Sequence, residues 1–306
     1  MKRWRKIILR TGIALVVLAF IGCWIFLPKF ILSPYRMNVS QHPELFAQGT
    51  LPENYGLSKI DFDFQSTDGA TIDAWFIPAA GDSAICNLIV LHGIGACKEL
   101  FLPAASTFTS HNCNIVLFDL RAHGQSGGEY CTYGFNEKKD VRILTDKLAA
   151  LNSLPTGVYG TSLGGAMAYL SMEEDDRLAF GIIESTFDDI QNVVREYTKR
   201  FLGFRCDWLG DFALWRAGHV AHFDPDNIKP YASAQHISKP MLVIHGTKDI
   251  HIPFQYGKRN FDSLGSTQKE FIAVEGADHN NVGLLGGPGL MEQKLNFLQK
   301  VCTKIH

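Results

Sequence analysis

The chain has 306 residues, 46% of them hydrophobic, with 29 basic and 31 acidic side chains. That is ample for one large core, or for one domain with an inserted cap. A formal net charge of −2 gives no basic surface for a nucleic-acid partner, and no low-complexity tract, internal repeat or heptad run points to a solenoid or coiled coil.

Lys2, Arg3, Arg5, Lys6 and Arg10 crowd the first ten residues, and an uncharged apolar run follows from Gly12 to Leu27. Such a segment is a signal peptide or a membrane anchor. No small-x-small cleavage site follows it; Pro28, Lys29 and Phe30 come instead, which favours an uncleaved anchor over residues 1–28. With Ile7, Ile8 and Leu9 included, the run suits a ~30 Å hydrocarbon layer, Arg10 snorkelling to the interface. The positive-inside rule then puts the N-terminus in the cytoplasm and the bulk of the chain outside it, a single-pass topology. A lipoprotein lipidated at Cys23 is disfavoured by Phe20 before it and by the apolar W-I-F-L after it. A buried domain helix is disfavoured by the five basic residues at one end. Residues 29–57 read as an irregular lead-in with no assignable place.

From Ser58 the pattern becomes β-rich. K-I-D-F-D-F-Q-S and A-T-I-D-A-W-F-I-P alternate polar and apolar residues around T-D-G and predict an antiparallel hairpin. Six short apolar runs follow: N-L-I-V-L-H, N-I-V-L-F-D, G-V-Y-G, F-G-I-I-E, M-L-V-I-H-G and E-F-I-A-V-E. Unbroken runs of this kind belong to parallel strands buried on both faces. Helical patterns between them, such as Val141, Leu144 and Leu148 on one face, imply a mostly parallel, doubly wound sheet. The connection from Glu184 to Met241 is too long for a loop. It holds two helical patterns and predicts a helical cap at about residues 186–235 of a domain spanning 58–306. Seven cysteines show no C-x-x-C and no zinc spacing, so free buried thiols are expected and no metal.

The pattern G-x-S-x-G occurs twice, around Ser162 and around Ser126. A nucleophile on a sharp turn needs a buried strand before it and a helix directly after it, whose N-terminus offers free N–H groups and partial positive charge. Ser162 has T-G-V-Y-G-T before and L-G-G-A-M-A-Y-L-S-M after. Ser126 is followed by the loop G-G-E-Y-C-T-Y-G-F and reads as a turn residue. An acid and a histidine should then end later strands, in that order. M-L-V-I-H-G-T-K-D delivers Asp249, and E-F-I-A-V-E-G-A-D-H delivers His279. His251 lies in the acid's own loop, Asp278 points another way, Glu275 is still within its strand, and Asp119 comes too early and reads as a structural hydrogen-bonder. An oxyanion hole needs two backbone N–H groups; Leu163, after the serine, and Ile94, in H-G-I-G-A, are the candidates, with Gly93 and Gly95 shaping the loop.

L-H-G-I-G, D-L-R-A-H-G-Q-S-G-G, G-T-S-L-G-G, H-G-T-K-D and G-A-D-H-N, in this order, resemble the α/β-hydrolase superfamily from about Ser58 to the C-terminus. With the N-terminal anchor and modest cap, the chain looks most like the membrane-anchored serine hydrolases of the Bem46/ABHD13-like group. The resemblance implies Ser162 as nucleophile, Asp249 as acid, His279 as base, oxyanion donors at Ile94 and Leu163, and no cofactor. H-G-I-G rather than H-G-G-G disfavours one esterase branch, and a chain too short for a propeller domain disfavours the prolyl-oligopeptidase branch. The expected activity is hydrolysis of an acyl ester or thioester, esterase- or lysophospholipase-like, on a small-molecule or lipid-like acyl substrate. A peptidase or amidase of the same fold and a non-catalytic binding protein are the alternatives. The cap aromatics Phe201, Phe204, Trp208, Phe212 and Trp215 motivate the lipid-like substrate, although such stripes more often serve packing.

Overall fold

The computed structural model describes residues 2–305 apart from Asn38, Ala47 and Asp82. It opens with α1 (Lys2–Leu32), which continues through Pro28 and beyond the apolar run. Its apolar side chains are mostly exposed, among them Leu9, Val16 and Leu18, until Leu32 at its end is fully buried. The segment that sequence left unplaced crosses the domain in short 3-10 turns at Val39–Gln41, Pro43–Leu45 and Pro52–Tyr55. Two tethers hold its start. Tyr133 donates its hydroxyl to the Ile31 carbonyl at 2.6 Å, and the Arg36 guanidinium donates to the carbonyls of Ser126 and Gly128 at 2.6 and 2.8 Å.

The hairpin is present in two pieces. It comprises β1 (Ile60–Asp61), β2 (Phe64–Gln65), β3 (Thr71–Ile72) and β4 (Ala74–Ile77). β1 pairs antiparallel with β4, while β2 and β3 form a separate two-stranded ribbon at the turn. The alternating elements follow: β5 (Cys86–Leu91), α2 (Leu102–Ser110), β6 (Cys113–Phe118), α3 (Glu137–Leu151), β7 (Thr156–Thr161), α4 (Leu163–Glu174) and β8 (Leu178–Glu184). After the helices α5 (Ile190–Leu202), α6 (Asp207–Ala221) and α7 (Pro230–His236) come β9 (Met241–Gly246), α8 (Phe254–Ser263), β10 (Lys269–Val274) and α9 (Val282–Ile305).

The main sheet has the order β1-β4-β6-β5-β7-β8-β9-β10. β4 joins β6 antiparallel, and the pairs from β6 to β10 are all parallel. One face is packed by α3 and α4 through Val141, Leu144, Leu148, Met167 and Tyr169. The other is packed by α2 and α9 through Leu102, Phe108, Phe297 and Leu298. Covering both faces is why β5, β6 and β9 read as continuous apolar runs. β10 differs from its expectation: only Val274 is buried, because the strand is the sheet's edge and has one neighbour.

The long β8–β9 connection carries two helices of different character. α5 is amphipathic; its Asp189 cap accepts from the Gln191 N–H, and Gly203 ends it in the left-handed region at φ 77°. α6 is apolar nearly all round. Gly210, Ala213, Leu214 and Ala217 are buried on one side. On the other, Phe212 meets Phe20 of α1 with ring centroids 6.2 Å apart, and Trp215 meets Trp24 at 6.0 Å. The cysteines are unpaired; Cys86 and Cys113, side by side on β5 and β6, have Sγ atoms 3.2 Å apart.

Candidate active site

Ser162 lies between β7 and α4 at φ 52°, ψ −115°, a conformation that a residue with a Cβ adopts only when its surroundings force it. The surroundings are visible. The Ser162 N–H donates to the Glu184 carbonyl at 2.8 Å, and Thr186 Oγ1 donates to the Ser162 carbonyl at 2.7 Å. Close packing of the turn demands glycine: a Cβ on Gly160 would lie 2.3 Å from the Gly164 carbonyl oxygen, and one on Gly164 would lie 2.0 Å from that of Leu91. The turn therefore presses strand, helix and the neighbouring β5 together and lifts the hydroxyl above the sheet's carboxyl edge, where ligands gather in open α/β sheets.

The structure brings three of the sequence candidates together there. His279 Nε2 lies 3.0 Å from Ser162 Oγ, and His279 Nδ1 lies 2.7 Å from Asp249 Oδ2. Asp249 Oδ1 accepts from the N–H groups of His251 and Ile252 at 2.8 and 2.7 Å. Burial works to raise the Asp249 pKa. Hydrogen bonds from His245 and His279, with the Ile252 N–H, outweigh it and hold the carboxyl well below the usual range. The charged carboxylate thus faces Nδ1, which fixes the proton there and turns the Nε2 lone pair toward the serine.

The H-G-I-G loop abuts the serine. A Cβ on Gly93 would come within 3.3 Å of Ser162 Cβ and 3.9 Å of its Oγ. Leu163 is the first residue of α4 and is buried, so its N–H has no acceptor within the helix. Ile94 is 44% exposed. The loop is pinned by His92, quoted in the motif but given no role from sequence. Its Nε2 accepts from the Leu120 N–H at 3.0 Å, so Nδ1 carries the proton and donates to the Gly93 carbonyl at 2.7 Å. Burial, then the adjacent His123 ring, push its pKa down to about 3, keeping the ring neutral and this tautomer in place.

The remaining candidates fall outside. Ser126 is buried with both hydroxyl roles used: Oγ donates to the Asp119 carbonyl at 2.6 Å and accepts from the Asp73 N–H at 2.9 Å. Asp119 is wholly buried, accepting from the Lys98 N–H and ammonium and from the Gln125 N–H at 2.8–2.9 Å. His251 is turned to the cap: its Nδ1 accepts from Arg200 of α5 at 2.6 Å, and Arg200 also donates to the Ile250 carbonyl. Its ring still lies 5.7 Å from that of His279. No local pattern announces Arg200, since its partners lie fifty residues away in sequence. Behind the turn, Lys294 of α9 donates to Glu184 and to the Tyr159 hydroxyl at 2.7 and 2.9 Å. Among the described residues no group of three His, Cys, Asp or Glu side chains is arranged to hold a metal ion.

An open, mostly parallel eight-stranded sheet sheathed by helices, with a strained strand-to-helix turn at the carboxyl end of a central strand, defines an α/β hydrolase. The profile of the prolyl oligopeptidase family matches residues 103–304, and the chain belongs to that family. This corrects the branch assignment drawn from length: a propeller is an accessory domain, whereas the match lies wholly within the sheet and its helices. The chain is 23% identical to protein bem46 of Schizosaccharomyces pombe over 269 residues, 84% of each chain. It is also 23% identical to the lysophosphatidylserine lipase ABHD12 of Danio rerio, over 80% of this chain and 68% of that one. Among solved structures, the Pyrococcus furiosus esterase Pf2001 superposes with a TM-score of 0.70 at 20% identity, over 89% of this chain and 98% of its own.

Proposed function

We propose that the protein is a membrane-tethered serine hydrolase that cleaves acyl esters or thioesters through an acyl-enzyme. The observation that carries this reading is the unbroken relay from Ser162 Oγ through His279 to Asp249, at 3.0 and 2.7 Å. Ser162 Oγ attacks the substrate carbonyl carbon while His279 Nε2 takes its proton. Asp249 stabilises the imidazolium, and the N–H groups of Leu163 and Ile94 receive the carbonyl oxygen as it becomes negative. The C–O or C–S bond then breaks, and Nε2 returns the proton to the departing alkoxide or thiolate. Water, deprotonated by His279, releases the acid and restores Ser162. No cofactor enters these steps.

In this reading residues 1–28 anchor the chain, with the N-terminus cytoplasmic and the hydrolase domain, 58–306, on the far side of the membrane; residues 29–57 connect them. The anchor assignment is supported by one helix long and apolar enough to span a bilayer, with only 17% of its most apolar window buried. The segment at about 186–235 is the cap. Ester chemistry is supported by the lipase and esterase relatives in sequence and fold. Intact protein is expected to react with a fluorophosphonate probe and hydrolyse p-nitrophenyl esters, and Ser162→Ala to do neither. Absence of labelling in folded wild-type protein removes the reading.

A second reading is favoured by the family itself: amide or peptide hydrolysis by the same residues. Aminoacyl amides compared with p-nitrophenyl esters at matched concentration distinguish the two, since only the leaving group differs.

A further inference from the structure

We propose that α6 and the rim of the Ser162 site lie in the membrane interface, so that the site draws its acyl substrate from a phospholipid bilayer. The proposal rests on reading α1 as a span and Ser162 as a nucleophile, and it adds where the domain sits and how substrate arrives.

The first observation is depth. α6 meets α1 at Phe20 and Trp24. At 1.5 Å per residue these lie about 13 and about 8 Å before Lys29 along the helix, well inside the apolar run. A helix packed at that level shares the anchor's surroundings. Composition agrees, for α6 is apolar on the face toward the domain and on the face toward α1, the pattern of a helix that meets no water on either side. Its two carboxylates are paired, Asp207 with Arg205 and Asp211 with Arg195, each at 2.7 Å, while the Arg216 guanidinium lies over the Trp24 ring at 4.5 Å.

The second observation is continuity from the end of the anchor to the site. Phe30 of α1 stacks near Phe201 of α5, with ring centroids 6.3 Å apart. Arg200, the preceding residue, grips the Ile250 carbonyl and His251, whose ring neighbours that of His279. On the other side, the Tyr35 carbonyl oxygen lies 3.6 Å from where a Cβ on Gly95 would stand, beside the candidate oxyanion loop. The end of the span and the reacting groups therefore share one edge of the molecule.

The third observation is exposure. Phe30, Phe201 and Ile250 on that edge are 76, 82 and 71% exposed; Trp208 at the start of α6 and Leu284, five residues beyond His279, are 70 and 81% exposed. Large apolar side chains gathered near a site mouth need a cover. Their continuity with the span selects a lipid bilayer, in which such aromatics settle at headgroup level.

The test uses the full chain reconstituted in phosphatidylcholine vesicles and the variant carrying Phe201→Ser, Phe204→Ser and Trp208→Ser. Two substrates are compared, water-soluble p-nitrophenyl acetate and a palmitoyl ester of a fluorogenic alcohol embedded in the vesicles. The variant is expected to lose at least about tenfold in rate on the embedded ester, while the soluble one stays within about twofold. An unchanged rate on the embedded ester, or an equal loss on both, overturns the proposal. A second arm does not depend on catalysis. The emission that Trp208→Phe removes is expected to be the emission quenched by phosphatidylcholine brominated in its acyl chains. Trp208 emission that persists in brominated vesicles overturns the proposal and assigns the rim to a second copy or another protein. If neither ester is cleaved but Trp208 is quenched, the placement stands and the serine-hydrolase reading fails.

Discussion

Asp249 keeps its charge against its own burial because four donors converge on two oxygens: the N–H groups of His251 and Ile252, His279, and His245 more distantly at 3.5 Å. Asp249→Asn keeps the shape but removes the charge and reverses the preferred tautomer of His279. A fall in kcat of about 10⁴ is expected by steady-state assay on soluble ester, with some loss of thermal stability because the charged carboxylate also stabilises the fold. His92 makes a separate, pH-dependent contribution. Its folded pKa, near 3, lies below the unfolded value near 6.5. Between those values the unfolded chain binds a proton that the folded chain refuses, so stability falls as pH falls through that window and is flat above it. The slope is up to about 1.4 kcal/mol per pH unit. Urea titrations from about pH 7 to about pH 4 should show a shallower slope for His92→Asn. The Asp249 contribution is lost only below the ordinary carboxylate range, so the two windows separate. The convergence of Ser162, Asp249 and His279 was legible because each follows an apolar strand run and precedes a loop or helix signal. His92 and Arg200 were not, because their roles are set by partners that only the fold supplies.

At the level of elements, the turn between β7 and α4 is fixed more by what is absent than by what is bonded. Gly164→Ala puts a Cβ 2.0 Å from the Leu91 carbonyl oxygen, a backbone atom of the central β5 that has nowhere to go. A loss of about 3 kcal/mol is expected in denaturant unfolding. Gly283→Ala, with nothing within 4 Å of its added Cβ at the start of α9, should be neutral or slightly stabilising. Strands β5 to β9 were legible from runs of apolar residues, since burial on both faces leaves an unbroken signature, and β1 and β4 from alternation. The edge position of β10 was not, because strand order is decided by pairing and leaves no mark on a single run. The two helices of the β8–β9 connection were legible from its length and from two helix-like stretches within it. The contact of α6 with α1 was not, because the aromatic stripe that makes it is equally suited to an ordinary core.

For the whole molecule, the contact between the first helix and the cap makes them one mechanical unit. Trp24→Ala and Phe212→Ala should not add. A double-mutant cycle on thermal unfolding in detergent is expected to show a coupling of about 1 kcal/mol, and strict additivity would mean that the two helices are only neighbours. The motif order was legible end to end, but the length-based argument against the prolyl oligopeptidase family shows its limit: the length of a chain says nothing of its descent.

Lys294 reaches from α9 to Glu184, whose carbonyl in turn receives the Ser162 N–H. The floor beneath the proposed nucleophile is therefore completed by a residue 110 positions further along the chain than Glu184, and His279 also lies well beyond the turn. A polypeptide made only as far as the turn would carry Ser162 without the ring that faces it and without the ammonium that supports its floor.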